Sequence, residues 1–301
     1  MKDTIGIWFK AFRLRTLPLA LSATILASFL AFARDAFRWQ VFLFGLTTTI
    51  CLQILSNLAN DYGDAVKGTD NAQRLGPLRV TQTGLVTRRQ IIGMIMTFVL
   101  LSLVSGSLLI YFGLRGSSSG LILLFYLLGL LAVFAAIKYT IGKRPYGYAG
   151  FGDIMVFIFF GILGVAGTYY LHTHTFQWSI LMPASAIGLF SVGVLNLNNL
   201  RDRENDRNSG KRTLVVRMGF NWARWYHITL LVTGFILSLA YTIMYFKSAY
   251  QFLFVLTLPL LFSDGKKVLL NTVPLELNNE LKKLAITTLI HSLSFGIGLV
   301  L

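Results

Sequence analysis

The sequence is short of charge. Of its 301 residues only 13% are Asp, Glu, Lys or Arg, about half the share found in a typical soluble domain, while 55% are hydrophobic and mean hydropathy is +0.66. That balance excludes an ordinary water-soluble globule and leaves a polytopic membrane protein as the fitting class. Cysteine occurs once, at Cys51 inside an apolar run, which excludes a disulfide framework and any cysteine-based metal centre. No Pro/Ser-rich linker or low-complexity tract divides the chain, so it reads as one domain over 1–301. The amino-terminal stretch MKDTIGIWFKAFRLRTLP scatters its charges and has no small-residue cleavage site. It reads as an interfacial helix leading into a span, not as a removable leader. Of the four histidines, His172 and His174 have no acidic residue close in sequence, and His227 and His291 stand alone within apolar runs. No Ser/His/Asp or Cys/His constellation is readable. The glycines of GYAGFGD follow no strand, so they make no dinucleotide-binding loop.

What is present is a series of long apolar runs. A spanning helix needs about 20 largely apolar residues. On that test nine spans are expected, at 17–34, 40–60, 91–112, 120–138, 152–171, 179–199, 224–246, 249–263 and 284–301. The expected fold is all-α, a bundle of nine transmembrane helices around a central cavity open to the cytoplasmic side. The formal charge is +15, but the basic residues sit in short loops between spans, the pattern of loops held against anionic lipid rather than nucleic acid. On one side lie 23 of the 27 Lys and Arg residues; only Arg34, Arg38, Arg115 and Lys247 fall on the other. The positive-inside rule then puts the amino terminus in the cytoplasm and, with nine passes, Leu301 outside. All the acidic residues except Asp35 share the basic side, so the chemistry is expected to open to the cytoplasm.

Two polar clusters interrupt this pattern at span ends. The first is NLANDYGDAVKGTD, residues 57–70, in which Asn57 and Asp61, and Asn60 and Asp64, are i, i+4 pairs. The second is NLNNLRDRENDRNSGKRTLVVRMG, residues 196–219, in which Asn198, Asp202 and Asp206 fall at i, i+4 and i+8. Each helix end thus carries a ladder of hard oxygen ligands on one face. Like charges at that spacing repel, and a divalent cation reverses the sign of the interaction. Mg²⁺ prefers oxygen ligands and usually shares its sphere with water or substrate phosphate. Lys67, Arg74, Arg79, Arg201, Lys211 and Arg212 lie close by in sequence, so the mixed pocket suits a metal carrying an anion better than a bare metal. A solvated face of Arg/Asp pairs is the plainer reading of either cluster alone. A third element, KYTIGKRPYGYAGFGD, residues 138–153, puts Tyr139 and Lys143 four residues apart. On a helix they face one phosphate; equally, Tyr and Lys are ordinary interfacial anchors.

At these residues the sequence resembles the UbiA superfamily of intramembrane prenyltransferases. The family's N-D-x-x-D motif matches Asn60, Asp61 and Asp64, its D-x-x-x-D motif matches Asp202 and Asp206, and its Y-x-x-x-K element matches Tyr139 and Lys143. Longer strings resemble the branch acting on 1,4-dihydroxy-2-naphthoate in menaquinone synthesis: RLRTLP (13–18), NLANDYGDAVKGTDNAQRLGPLRVTQTG (57–84), IMVFIFFGILGVAGTYYL (154–171) and NNLRDRENDRNSGKRTLVVRMG (198–219). The likeness runs from residue 13 to about 220 and is weak through the last three spans. One position departs from it, since Gly68 stands where many members have a further Asp, and Asp70 lies out of that register.

The resemblance implies a Mg²⁺-dependent enzyme with two ions held by Asn60, Asp61, Asp64, Asp202 and Asp206. Asp61, Asp64, Asp202 and Asp206 become the catalytic carboxylates, with Lys67, Arg74, Tyr139, Lys143, Lys211 and Arg212 on the diphosphate. Asn57, Arg79 and Asn198 are the remaining candidates for substrate contact. The implied substrates are a polyprenyl diphosphate and a small aromatic acid, and the implied product is demethylmenaquinol. Two alternatives stay open at this stage: another acceptor such as 4-hydroxybenzoate, or a cation-coupled transporter using the same carboxylates.

Overall fold

A computed structural model describes residues 4–71 and 73–301, and among them all regular structure is helical. In chain order the helices are α1 (Thr4–Phe12), α2 (Leu17–Phe32), α3 (Trp39–Val66), α4 (Arg88–Gly113), α5 (Ser119–Lys138), α6 (Gly152–Val156), α7 (Thr168–Thr173), α8 (Leu181–Arg201), α9 (Arg203–Asn208), α10 (Leu214–Met218), α11 (Phe220–Met244), α12 (Leu258–Leu270) and α13 (Leu277–Val300). The π-helical stretch Phe157–Gly167 joins α6 to α7.

Among the described residues, eight helical segments are long and apolar enough to cross a bilayer: Gly6–Phe32, Trp39–Val66, Arg88–Gly113, Ser119–Lys138, Gly152–Thr173, Trp178–Arg201, Phe220–Met244 and Pro274–Val300. The chain is an integral membrane protein. The remaining expected span, 249–263, is helical as well but is not among those eight. It opens as the 3-10 helix Ala249–Thr257 and continues as the 13-residue α12. Pro259 near the α12 start and Asp264, Lys266 and Lys267 in its second half cut short the apolar α-helical run.

Local sequence sets the helix boundaries. At the start of α4, Thr87 accepts from the Gln90 amide while the Gln90 side chain accepts from the Thr87 N–H, a reciprocal cap that satisfies two orphan donors. Ser118 caps α5 in the same way, from one side. Helix α3 runs beyond its apolar stretch to Val66, carrying Asn57, Asn60, Asp61 and Asp64 on its last turns.

The arrangement follows from burial. In α8, 72% of the span window is buried inside the protein, against 6% in α5, so α8 is the central post and α5 lies at the lipid-facing edge. Leu123, Leu124, Leu127, Leu130 and Leu131 on α5 are accordingly exposed. Without a hydrophobic drive between helices in lipid, close packing decides which faces meet. The π-helical stretch meets α8 through glycines: a Cβ on Gly161 would sit 2.7 Å from the Ala184 carbonyl oxygen and from Gly188 Cα. Around α8 the core gathers Phe190, Ile187, Leu197, Tyr169, Phe254 and Phe295, all at most 2% exposed.

Candidate active site

The two polar clusters, some 140 residues apart in sequence, meet at one end of the bundle. Three loops are laced together there. Asn205 Nδ2 donates to the Thr69 carbonyl at 2.8 Å, joining the second cluster to the first. The Tyr148 hydroxyl lies 2.5 Å from Thr69 Oγ1 and donates to Asp64 Oδ1 at 2.7 Å. The Arg212 N–H donates to the Tyr148 carbonyl at 3.0 Å. The i, i+4 ladder of the second cluster persists across the α8–α9 junction, since the Asp202 N–H reaches Asn198 O at 3.1 Å and the Asp206 N–H reaches Asp202 O at 2.8 Å.

Arginine dominates the first half of the site. The buried Arg79 guanidinium spreads over three carboxylates, with Nη1 at 3.1 Å from Asp61, Nη2 at 2.9 Å from Asp64 and Nε at 3.0 Å from Asp70. Arg13 also pairs with Asp61. It sits between α1 and α2 in the left-handed conformation, φ 50°, a strained geometry for a residue with a Cβ. Arg74 Nε lies 3.3 Å from Asp70 and 4.0 Å from Asp202 Oδ2, bridging the halves. In the second half Arg201 grips Asp202 through Nε at 3.1 Å and Nη2 at 2.5 Å. Asn198 and Asn278 hold that guanidinium from the other side, at 2.8 and 2.7 Å. Lys211 Nζ is 3.5 Å from Asp206.

The electrostatics follow from this packing. Burial opposes the charge of Asp202, yet Arg201, Arg74 and Lys211 together hold its carboxyl below the usual range. Burial wins at Asp206 and Asp70 and lifts both carboxyls to about 6, against the pull of Lys211 and of Arg79 respectively. Burial likewise works against the charges of Arg79 and Lys211, but the surrounding carboxylates outweigh it and push both upward. Arg74 is brought down to about 10 by burial and by Arg79. Burial raises the Tyr139 phenol to about 12, so it stays a neutral donor.

Among the described residues no three Asp, Glu, His or Cys side chains converge into a metal cage. The donor set nonetheless fits a hard cation that shares its sphere with a ligand. Asp206 Oδ2, both Asp70 oxygens and the amide oxygen of Asn205 are buried without a hydrogen-bond partner. Buried polar atoms left unpaired are costly, and oxygens are what Mg²⁺ seeks. The Arg79–Asp70 approach is an ion pair whose angle leaves the Asp70 oxygens without a proper hydrogen bond.

The expected site residues divide into three groups. Asp61, Asp64, Arg74, Arg79, Asp202, Asp206 and Lys211 come together in the buried cluster. Asn57 and Asn60 turn to neighbouring structure. The Asn57 amide donates to Phe12 O at 3.0 Å and Thr16 Oγ1 at 3.1 Å, pinning the Arg13 turn, while Asn60 Oδ1 accepts from Thr140 at 3.3 Å. Asn198 orients Arg201. Lys67, Lys143 and Arg212 are exposed at the rim. A cavity of about 450 Å³ there is lined by Lys67, Lys143, Arg144, Tyr148 and Ser209 among others. The expected helical alignment of Tyr139 with Lys143 is corrected. Helix α5 ends at Lys138 and the chain turns at Gly142, φ 105°, so Tyr139 points inward beside Gly147 and Gly152 while Lys143 faces out.

Four residues were missed by motif reading. Asp70 was set aside on register, Arg13 was only part of a longer string, and Tyr148 and Asn278 carried no assignment. Tyr148 is central: Lys67 Nζ and Lys211 Nζ lie 5.2 and 5.5 Å from its ring, close enough for cation–π attraction. The one available signal was its place in an aromatic, glycine-rich loop on the basic side.

An all-helical membrane bundle with paired acidic clusters among buried arginines at one end defines a class, and similarity to known proteins agrees with it. The model of the UbiA prenyltransferase family matches residues 20–272. The 1,4-dihydroxy-2-naphthoate octaprenyltransferase of Haemophilus influenzae is 41% identical over the whole of this chain and 98% of its own length. Among solved structures, the apo form of a UbiA homolog from Aeropyrum pernix superposes with a TM-score of 0.65 at 18% identity, covering 98% of each chain. A UbiA homolog from Archaeoglobus fulgidus, bound to GPP and Mg²⁺, superposes with a TM-score of 0.60 at 17% identity, covering 98% of this chain and 99% of the other. The chain belongs to the UbiA prenyltransferase family. The likeness also extends past residue 220, where motif reading found it weak.

Proposed function

We propose that the protein transfers a polyprenyl group from polyprenyl diphosphate to 1,4-dihydroxy-2-naphthoate, with loss of CO₂ and diphosphate, giving demethylmenaquinol. The observation that carries this reading is the meeting of the two acidic motifs among buried cations, in a chain 41% identical along its full length to a 1,4-dihydroxy-2-naphthoate octaprenyltransferase. Mg²⁺, as two ions at Asn60, Asp61, Asp64, Asp202 and Asp206, would supply neutralisation of the diphosphate as the allylic C–O bond breaks. Lys211, Arg74 and Arg79 stand in the cluster to receive the departing diphosphate oxygens, with charge-assisted hydrogen bonds. The neutral Tyr139 phenol would donate a further hydrogen bond to a diphosphate oxygen from the inner wall. Lys67, Lys143 and Arg212 sit at the rim, where they attract an anionic substrate from water.

The location suits the chemistry. Each buried CH₂ is worth about 0.8 kcal/mol, so a long prenyl tail stays in hydrocarbon. A site at the ends of spans reaches the diphosphate while the tail lies among the helices, and burial keeps water from the allylic cation. The excess of Lys and Arg on the site's side supports a cytoplasmic opening in a bacterial cytoplasmic membrane, with the amino terminus inside. Mass spectrometry of products tests the reading: a labelled polyprenyl diphosphate is offered with 1,4-dihydroxy-2-naphthoate and 4-hydroxybenzoate in competition. A decarboxylated prenyl-1,4-naphthalenediol, or the quinone from its oxidation, is expected. A prenylated 4-hydroxybenzoate, or no prenylated aromatic, overturns it.

A further inference from the structure

The charges of the buried cluster balance before any ligand enters. Five carboxylates, Asp61, Asp64, Asp70, Asp202 and Asp206, have side chains at most 5% exposed. Five cations meet them: Arg74, Arg79, Arg201 and Lys211, at most 9% exposed, and Arg13 at 18%. Arg79 is the common partner of the whole first half, with a different nitrogen on each of Asp61, Asp64 and Asp70. A bare dication entering this neutral cluster brings two uncompensated charges into a dry site and must first displace an arginine, which is then stranded beside it. Both costs are large where water cannot screen. A diphosphate entering together with the dication brings negative charge for the displaced arginine to bind, and arginine matches phosphate oxygens as well as it matches carboxylates.

We infer that the site loads its metal and diphosphate as a coupled pair, and that Arg79 enforces this by exchanging from the three carboxylates to the incoming diphosphate. The inference rests on the proposed Mg²⁺–diphosphate reading and adds to it an order of assembly and a residue responsible. Arg79 is in this account a cation lock: it holds the metal ligands together in the absence of ligand and keeps metal off them until an anion arrives. Linkage makes the effect reciprocal, so metal raises the affinity for diphosphate by the factor by which diphosphate raises the affinity for metal.

The test is direct binding, with Mn²⁺ as the metal and inorganic pyrophosphate as the anion, by equilibrium dialysis of the full-length protein in detergent micelles. The metal–pyrophosphate complex equilibrates across the dialysis membrane, so excess Mn²⁺ in the protein compartment is the bound fraction. The wild type is expected to bind Mn²⁺ at least about tenfold more tightly with pyrophosphate than without, a coupling of the ordinary allosteric size. In Arg79→Gln the carboxylates lose their competitor, so Mn²⁺ alone binds more tightly than to wild type and the pyrophosphate enhancement shrinks toward unity. Arg79→Lys, which keeps the charge, retains an enhancement and controls for a misfolded Gln variant. Wild-type protein binding Mn²⁺ equally well with and without pyrophosphate overturns the coupling while leaving the prenyltransferase reading intact. So does an Arg79→Gln variant with an unchanged enhancement. Absence of Mn²⁺ binding under every condition overturns both.

Discussion

Replacing Tyr148 by Phe removes a single oxygen from the site. That hydroxyl donates to Asp64 Oδ1 at 2.7 Å and lies 2.5 Å from Thr69 Oγ1, while the ring stands within 5.5 Å of the Lys67 and Lys211 ammonium groups. The Phe variant keeps the ring and its attraction for both ammonium groups, and loses the bond to a buried carboxylate together with the contact to the Thr69 hydroxyl. A hydrogen bond to a charged group is worth about 1.5–3 kcal/mol, which corresponds to roughly a ten- to 150-fold change in an equilibrium or rate constant. In the ligand-free protein Asp64 has a second partner in Arg79 at 2.9 Å, and in the loaded site the metal would take that place, so the lower half of that range is expected, near tenfold in kcat/KM for the prenyl diphosphate. The Mg²⁺ concentration needed for half-maximal rate should rise as well. Tyr148→Leu also removes the ring, and the loss of cation–π attraction, about 0.5–2 kcal/mol, should deepen the defect by a further several-fold. The assay is prenyl transfer by purified protein at a series of Mg²⁺ concentrations. A Phe variant within twofold of wild type in both quantities refutes the assignment of Tyr148 to the site.

Other consequences are equally open to measurement. Asp64→Ala or Asp202→Ala should abolish prenyl transfer in a protein that still folds, as judged by its elution in detergent, and chelation by EDTA should stop the wild-type reaction until Mg²⁺ is restored. Burial lifts the Asp206 carboxyl to about 6, so below that pH this proposed ligand holds a proton that a metal must displace. Metal affinity should therefore be full above about pH 7 and fall by roughly tenfold per pH unit below the pKa of that carboxyl, since the ligand binds only deprotonated; a flat profile of Mn²⁺ affinity from about pH 7 to 5 contradicts this. Gly161→Val forces a side chain into the space held by the Ala184 carbonyl and Gly188 Cα. Overpacking of that kind costs about 1–3 kcal/mol and should lower the thermal midpoint in detergent, whereas an unchanged midpoint would mean that the helices separate there without cost.

Long apolar runs made most of the spans legible, because the bilayer demands length and hydrophobicity of each helix by itself. Hydropathy does not register which helical bonds the backbone closes, and the run 249–263 begins in a 3-10 helix. The acidic ladders were legible for the same local reason, since i, i+4 spacing on a helix end needs no tertiary information. The same assumption failed at Tyr139 and Lys143, where α5 ends at Lys138 and Gly142 at φ 105° turns the chain between the pair and sends them to different surroundings. Arg13, Asp70 and Tyr148 were hidden because their roles exist only after folding. Arg13 reaches Asp61 across 48 positions, and Tyr148 reaches Asp64 across 84. Arg79 shows the limit most clearly, for nothing in the loop 71–87 indicates that one guanidinium faces three carboxylates at once.

The central claim is that the two acidic motifs form one binding site. Affinity for a prenyl diphosphate in the presence of Mg²⁺, measured for wild type, Asp64→Asn, Asp202→Asn and the double variant, tests it most directly. Groups that hold one ligand together act as a unit and lose their effect non-additively. Each single variant is therefore expected to lose nearly as much affinity as the double. Losses that simply add, or either single variant binding as wild type does, would contradict the account.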